Sequence, residues 1–133
     1  MEQQRWACRG IRGAITTAGN GAAAIEEATK ELLDGLIEAN DCRLEDVAAA
    51  IFTIPDELAG ANPPAAARKH GWSRVPLLAV REQEAVGLVD DCLRVLVLWN
   101  TTCSQDQIRH VYLRGATVLR PDLSNGSALG AKA

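Results

Sequence analysis

The stretch Asp91-Cys-Leu-Arg-Val-Leu-Val-Leu-Trp99 is predicted to be a buried β-strand that continues to Asn100. Side chains alternate between the two faces of a strand, so Arg94 shares its face with the apolar side chains of Cys92, Leu96 and Leu98. A guanidinium on such a face needs an anion beside it. The stretch therefore predicts a strand of the sheet and, on one of its faces, a position for a negative charge.

The segments around this strand predict an α+β chain. Apolar positions recur at helical spacing between residues 22 and 40, which indicates an amphipathic helix long enough to cover one face of a sheet. A shorter helix is predicted after Asn62, a residue suited to the N-cap, with Pro63 at its first position and Gly71 just past its end. Strands are predicted at residues 7–16, 47–54, 75–84, 91–100, 109–113 and 116–120. We expect a mixed sheet with the helices packed on one face.

Length and composition predict one domain. A chain of 133 residues with 47% hydrophobic content can bury one core, which we place in residues 1–123, followed by a mobile tail at 124–133. The net charge of −3 and the pI near 5.4 argue against a nucleic-acid partner. No apolar run is long enough to cross a membrane, and no apolar signal core follows the N-terminal residues. We expect a cytoplasmic protein with no membrane partner.

The cysteine pattern does not predict a metal site. The cysteines are widely and irregularly spaced without a Cys-x-x-Cys pair, and His70 and His110 are the only histidines. Tetrahedral zinc sites usually draw on ligands paired at short spacing. We expect no metal and no cofactor, and free thiols in a reduced protein at Cys8, Cys42, Cys92 and Cys103.

The cationic residues are strongly biased towards arginine, since only three of the 14 are lysine. Guanidinium groups bind carboxylates through two parallel hydrogen bonds, which ammonium groups cannot do. A structural ion pair needs one arginine for each acid, but here the arginines come from five separate predicted elements. We infer a site for a small dianionic ligand, with candidates at Arg12, Arg68, Arg94, Arg109 and Arg120.

Acidic and aromatic residues near this strand have structural interpretations as well as functional ones. Glu82 and Glu84 are at the end of a predicted strand. Three roles are open for them: a solvated strand end, an ion pair with Arg94, or accepting a hydrogen bond from a ligand hydroxyl. Tyr112 lies in the middle of a predicted strand, where packing is the usual role, and His110 is best explained as a structural hydrogen bonder. No Ser-His-Asp or Cys-His grouping follows from the spacing, so covalent catalysis has little support.

Several segments resemble the monofunctional chorismate mutases of the AroH class, the Bacillus type. They are Arg9-Gly-Ile-Arg-Gly-Ala14, Arg94-Val95 with Trp99 following, Gln105-Asp-Gln-Ile-Arg-His-Val-Tyr-Leu113, and Leu119-Arg-Pro-Asp-Leu123. The resemblance runs from about Cys8 to Leu123, and the order and spacing of the segments match the family. It implies a homotrimer of α+β subunits that forms a pseudo α/β-barrel, with active sites in the clefts between subunits.

The resemblance also implies roles for individual residues. The catalytic set would be Arg12, which binds a substrate carboxylate, Arg94, Glu82, which meets the ring hydroxyl, and Tyr112. The substrate pocket would further include Leu78, Ala79, Val80, Arg81, Asn62, Arg68, Leu119 and Arg120. The chain departs from the Bacillus sequence where Ala79 replaces a cysteine, Asn62 a phenylalanine and Ala65 a lysine, and we expect the two rim changes to alter affinity rather than chemistry.

The reaction implied by the resemblance is the isomerisation of chorismate to prephenate in phenylalanine and tyrosine biosynthesis. This intramolecular Claisen rearrangement requires no nucleophile, metal or cofactor, which agrees with the residues found. One alternative is a non-catalytic trimeric module that binds a small dicarboxylate metabolite. Another is an imine deaminase of the Rid type, which has a similar trimeric architecture, but Glu82 and the long match at residues 105–113 argue against it.

Overall fold

A computed structural model describes residues 4–83 and 89–119. These residues form five strands, two α-helices and four short 3₁₀ turns. The strands and helices are, in chain order, β1 (Ala7–Thr16), α1 (Ala22–Asn40), β2 (Val47–Ile54), α2 (Pro63–Lys69), β3 (Leu77–Arg81), β4 (Cys92–Thr101) and β5 (Val111–Leu113). The 3₁₀ turns are Leu44–Asp46, Asp56–Leu58, Gln105–Gln107 and Arg114–Leu119.

The strands form one five-stranded sheet in the order β3-β2-β4-β1-β5. Strand β4 is central and runs antiparallel to both β1 and β2. The outer strands pair in parallel, β3 with β2 and β5 with β1. The predicted mixed sheet of an α+β chain is thus confirmed, and the apolar stretch that contains Arg94 is its middle strand.

One face of the sheet packs against the helices. Alternate strand residues such as Ile11, Phe52 and Val95 are buried together with Leu32 and Leu36 of α1 in a single apolar cluster. Helix α2 contributes Ala67 to the same cluster. Burying a large aliphatic or aromatic side chain contributes about 1.5–3 kcal/mol, so this layer stabilises the sheet and fixes which way its strands face.

The opposite face carries the side chains that alternate with the core residues, and we call it the open face. Several large apolar side chains on this face are exposed to solvent: Leu78 is 59% exposed, Val80 42% and Leu96 37%. Arg12 and Arg94 point to this face because they alternate with the buried residues of β1 and β4. The open face thus combines apolar and cationic side chains.

Local sequence signals place the helix ends as predicted. Asn62 is the N-cap of α2, where its side-chain oxygen accepts a hydrogen bond of 3.1 Å from the Ala65 backbone N–H, and Pro63 follows at the first position. At the end of α1, the side chain of Asn40 donates to the backbone oxygen of Arg109 at 2.9 Å and accepts from its N–H at 2.8 Å. These two bonds fix the chain that leads into β5.

The strand predicted at 116–120 is wrong. Arg114 adopts a left-handed backbone with φ of 53°, and the Gly115 N–H donates to Thr16 Oγ1 at 3.0 Å, so the chain turns away from the ladder into the 3₁₀ turn Arg114–Leu119. The strand predicted at 75–84 begins later, at Leu77, because Pro76 has no N–H for the ladder. The strand predicted at 109–113 shortens to Val111–Leu113.

Parts of the sequence predictions lie outside the described residues. These are Arg120, Glu84 and the tail at 124–133. Within residues 4–83 and 89–119, no helix is both long and apolar enough to cross a lipid bilayer.

Candidate active site

The register of the sheet places the main candidate residues in neighbouring rows on the open face. Arg94 of β4 lies opposite Ala14 of β1 on one side and Thr53 of β2 on the other. Ala14 in turn lies beside Tyr112 of β5. Arg12 is in the next row, opposite Leu96. Opposed residues of paired strands point to the same face, so Arg12, Arg94 and Tyr112 share one side of the sheet.

Glu82 completes this group from the end of β3. Its backbone N–H donates to the Ile54 oxygen at 2.9 Å, which continues the pairing with β2 for one more residue. Its carboxylate oxygen Oε2 lies 3.2 Å from Arg94 Nε, and its Oε1 accepts a hydrogen bond of 2.6 Å from Thr53 Oγ1. Both oxygens are therefore oriented, one by a charge and one by a hydroxyl. The salt bridge to Glu82 that the sequence left open is formed.

The guanidinium of Arg94 is only partly satisfied by this pair. The side chain is 31% exposed and that of Glu82 19%. The Nε and Nη2 atoms of Arg94 are buried, yet neither makes a hydrogen bond within residues 4–83 and 89–119. The contact with Glu82 is thus an ion pair whose geometry leaves these N–H groups free to donate. Buried donors are nearly always paired in proteins, so this arrangement suits a further acceptor.

Tyr112 lies against the base of the site. It is 5% exposed and belongs to a second, smaller cluster with Ala14, Cys92 and Ala116, against which Leu119 packs.

Burial raises the pKa of the Cys92 thiol to about 11, outweighing the opposing effect of the nearby Arg94 charge. Cys92 is therefore a thiol at neutral pH and not a nucleophile.

Arg12 is exposed, and its backbone is fixed by His110. The Arg12 N–H donates to His110 Nδ1 at 2.9 Å, which requires that Nδ1 carry no proton. A depression of about 360 Å³ lies here, and its lining includes Arg9, Arg12, Leu96 and His110. The sequence interpretation of His110 as a structural hydrogen bonder agrees with this contact.

The remaining predicted pocket residues fall into two groups. Leu78, Ala79, Val80 and Arg81 form the exposed edge strand β3 that leads directly into Glu82, and Arg81 is 3.0 Å from Asp56 Oδ1. Asn62, Ala65 and Arg68 are on α2, in the helical layer on the other side of the sheet from Arg94. Within one chain the structure does not bring this second group to the arginine–glutamate pair.

Sequence reasoning missed two residues in or near the site. Thr53 binds the carboxylate of Glu82, and Glu57 accepts a hydrogen bond of 2.9 Å from the Asp91 backbone N–H at the start of β4. Alternation along β2 puts Thr53 on the open face with Ile51, which is a usable signal. No sequence pattern pairs Glu57 with Asp91, because the contact depends on how two loops meet.

Among the residues that the structure describes, no group of three or more His, Cys, Asp or Glu side chains is arranged to hold a metal ion. The open face offers an ion pair whose guanidinium keeps N–H groups without a hydrogen bond among the described residues, a second exposed arginine and a buried tyrosine. This arrangement can bind and orient a small anion and stabilise negative charge that develops beside Arg94.

Comparisons with known proteins identify the family. The family model described as chorismate mutase type I matches residues 8–123. Chorismate mutase AroH of Thermus thermophilus is 51% identical over 118 residues, which are 88% of this chain and 97% of that protein. Chorismate mutase AroH of Bacillus subtilis strain 168 is 41% identical over 117 residues, which are 87% of this chain and 92% of that protein. The solved structure of a chorismate mutase from Clostridium thermocellum matches with a TM-score of 0.79 at 38% identity, over 82% of this chain and 97% of that one.

The chain belongs to the chorismate mutase type I family. Its activity is that of a chorismate mutase, an isomerase of aromatic amino acid biosynthesis, EC 5.4.99.5. The AroH class predicted from the four sequence segments is thereby confirmed.

Proposed function

We propose that this enzyme binds chorismate on the open face beside Arg94 and converts it to prephenate by conformational restriction and electrostatic stabilisation. The observation that carries the proposal is the Arg94–Glu82 pair, in which a charged guanidinium keeps two buried N–H donors without a hydrogen-bond partner in the described part of the chain. Arg12 and Tyr112 on the same face supply further groups for a substrate with two carboxylates.

The first contribution is to the conformation of the substrate. The Claisen rearrangement breaks an ether C–O bond while a C–C bond forms between the two ends of the same molecule. Only a compact conformer brings these ends together, and fixing it removes torsional freedom before the barrier is reached. Arg12 binds a carboxylate through its guanidinium in this proposal, and its backbone position is supported by the bond to His110.

The second contribution is electrostatic. As the ether bond lengthens, its oxygen gathers negative charge, and Arg94 would bind this charge more strongly in the transition state than in the ground state. Nη2, which makes no hydrogen bond within residues 4–83 and 89–119 and is not the nitrogen next to Glu82, is the group proposed to contact it. Loss of one comparable donor costs about 3–4 kcal/mol in other enzymes, and we assign an effect of that size to Arg94.

Glu82 is proposed to accept a hydrogen bond from the ring hydroxyl of chorismate. Its position supports this role, since Thr53 Oγ1 and Arg94 Nε fix the carboxylate from two sides. The negative charge also balances the cationic side chains around it, which lowers the cost of keeping several guanidiniums together. Tyr112, buried next to Ala14, is proposed to orient a substrate carboxylate.

We further propose a homotrimer, with the open faces of three chains forming a pseudo α/β-barrel and the active sites lying between subunits. The exposed Leu78, Val80 and Leu96 support it, because apolar patches of this kind mark interaction surfaces. An inter-subunit site would also explain why Asn62 and Arg68 are distant from Arg94 within one chain. A cytoplasmic location is proposed as well, since the buried free thiols of Cys42 and Cys92 suit a reducing compartment.

The test is the loss of chorismate absorbance with prephenate identified as product, without added metal or nucleotide. Wild type, Arg94→Ala and Arg43→Ala would be compared, since Arg43 is an exposed arginine in the connection between α1 and β2. Turnover in wild type and Arg43→Ala that collapses in Arg94→Ala supports the proposed mechanism. A folded wild type that binds chorismate without converting it would instead favour a non-catalytic module for a small dicarboxylate.

A further inference from the structure

The short 3₁₀ turn Asp56–Leu58 lies close to the candidate active site. It follows β2 directly, and β2 carries Thr53, which binds Glu82. From this turn Glu57 Oε2 accepts a hydrogen bond of 2.9 Å from the backbone N–H of Asp91. One continuous segment, from Thr53 to Glu57, therefore contacts both the glutamate of the ion pair and the chain that enters β4.

Asp91 is held in an unfavourable conformation. Its φ of 53° is in the left-handed region, which costs conformational energy for any residue with a side chain. Two hydrogen bonds compensate for this cost: its N–H donates to Glu57, and its carbonyl oxygen accepts from the Thr17 N–H at 2.8 Å. Such a conformation persists only where its surroundings fix it, so Glu57 determines in part where β4 begins.

The contact with Asp91 is a charge-assisted hydrogen bond. The Asp91 N–H, followed by Glu57's own backbone N–H, holds the pKa of the Glu57 carboxyl below its ordinary value of 4.5. Glu57 is therefore ionised at neutral pH. A bond from a backbone N–H to a carboxylate is stronger than one between neutral groups.

The position of Asp91 affects the Arg94–Glu82 ion pair through the geometry of β4. Asp91 is three residues before Arg94, and the sheet register fixes Arg94 opposite Thr53. Any shift of the start of β4 would move the guanidinium relative to Glu82, whose carboxylate is tied to Thr53 on the same segment as Glu57. Small displacements matter, since a misplacement of about 1 Å can cost about 100-fold in rate.

We propose that Glu57 is a positioning residue of this enzyme, which acts through Asp91 to align Arg94 with Glu82. The inference rests on the proposed roles of Arg94 and Glu82. Glu57 itself contacts no reacting group. The neighbouring Asp56 has a different relation to the site, because its ion pair with Arg81 joins two exposed side chains and such pairs contribute little.

The variants Glu57→Ala and Glu57→Gln test the proposal, with Glu45→Ala as a matched control. Glu45 is also an exposed glutamate in the middle of a three-residue 3₁₀ turn, Leu44–Asp46, at the start of β2. We expect Glu57→Ala to lower kcat about tenfold, less than direct misplacement of a reacting group costs. Glu57→Gln should recover most of the loss because its amide oxygen still accepts from Asp91, and Glu45→Ala should match wild type.

A double-mutant cycle separates positioning from stability. If Glu57 acts through Arg94, Glu57→Ala should have little further effect on kcat in the Arg94→Ala background. The proposal is overturned if the two effects multiply, if Glu57→Gln is as impaired as Glu57→Ala, or if Glu57→Ala lowers only Tm. An Arg94→Ala enzyme that keeps wild-type kcat would instead contradict the proposed function itself, so the two failures are distinguishable.

Discussion

Arg94 Nε lies 3.2 Å from Glu82 Oε2, yet within the described residues neither that nitrogen nor Nη2 makes a hydrogen bond. The pair is therefore close enough for strong Coulombic attraction while it retains donors for a third group. A purely structural salt bridge in a sheet would be expected to satisfy its N–H groups, because an unpaired buried donor costs about 1–3 kcal/mol. This geometry is the basis of the mechanism proposed for the enzyme.

Removing the hydroxyl of Thr53 should weaken substrate binding. Thr53→Val keeps the shape and the strand preference of the residue but leaves Glu82 Oε1 without its 2.6 Å hydrogen bond. Because Glu82 is proposed to bind the ring hydroxyl in ground state and transition state alike, KM should rise with a smaller change in kcat. A loss of about 1.5 kcal/mol, the lower end for a bond to a charged group, corresponds to a rise of about tenfold.

Thr53→Ser is the control for this prediction, since it keeps the hydroxyl and loses only a methyl group. KM and kcat of both variants, measured by steady-state kinetics, test this prediction. If Thr53→Val and Thr53→Ser had the same KM, the orientation of Glu82 by Thr53 would be irrelevant to binding.

A charge on the open face should prevent trimer formation. Leu96 is 37% exposed in the single chain and lies opposite Arg12, in the middle of the proposed interface. Leu96→Glu would bury a carboxylate there, and even where Arg12 pairs with it, the desolvation of the two charges costs more than the apolar contact it replaces. Sedimentation should therefore show a monomer or a weakened assembly with little activity.

The control for this prediction is Ala23→Glu, in the exposed first turn of α1, where an acid is favourable. It should sediment like wild type. A wild type that is monomeric, or a Leu96→Glu variant that assembles as wild type does, would contradict the proposed trimer.

The lowered pKa of the Glu57 carboxyl predicts how the stability of the folded protein depends on pH. Its pKa is lowered in the folded state, chiefly by the Asp91 N–H, so the unfolded chain binds this proton at a higher pH than the folded chain does. The stabilisation is therefore complete above the ordinary value of 4.5 and is lost as the pH falls through the lower folded pKa. The difference in Tm between wild type and Glu57→Gln should narrow in this acidic range. A difference that stays constant down to the lowest pH at which both fold would refute the linkage.

The buried cysteines should react slowly in the native enzyme. Burial is the main reason that the pKa of Cys42 rises to about 12 and that of Cys92 to about 11, so both remain thiols in mildly alkaline solution. Cys8 is exposed. Alkylation followed by peptide mass analysis should label Cys8 first and all four cysteines at similar rates after denaturation. Rapid labelling of native Cys92 would show that the base of the site opens.

Much of the fold could be predicted from local sequence patterns. The bounds of α1 follow from hydrophobic periodicity, those of β1 and β2 follow from strand-like runs of residues, and the start of α2 follows from Asn62 and Pro63. The strand predicted at 116–120 failed because its apolar pattern does not reveal the left-handed backbone at Arg114 or the bond from Gly115 to Thr16. Tertiary contacts override local preference at such points.

Some features of the candidate site could likewise be predicted from the sequence, and others could not. Alternation along β4 correctly assigned Arg94 to a face, and the same rule applies to Arg12 in β1. The pairing of Glu82 with Thr53 and of Glu57 with Asp91 could not be predicted, because each depends on sheet register or loop geometry between distant parts of the chain. The roles taken from family resemblance remain predictions for each residue, and Arg120 lies outside the described residues.

The most direct test of the central claim is kcat for Arg94→Lys, measured with Tm and compared with Arg43→Lys. Lysine keeps the positive charge but lacks the planar group whose Nε and Nη2 make no hydrogen bond in the described part of the chain. The account predicts that kcat falls by at least about 100-fold, near the effect of losing one oxyanion donor, while Tm and the Arg43→Lys control stay close to wild type. An Arg94→Lys enzyme with near wild-type kcat would contradict the claim that the guanidinium of Arg94 stabilises the transition state.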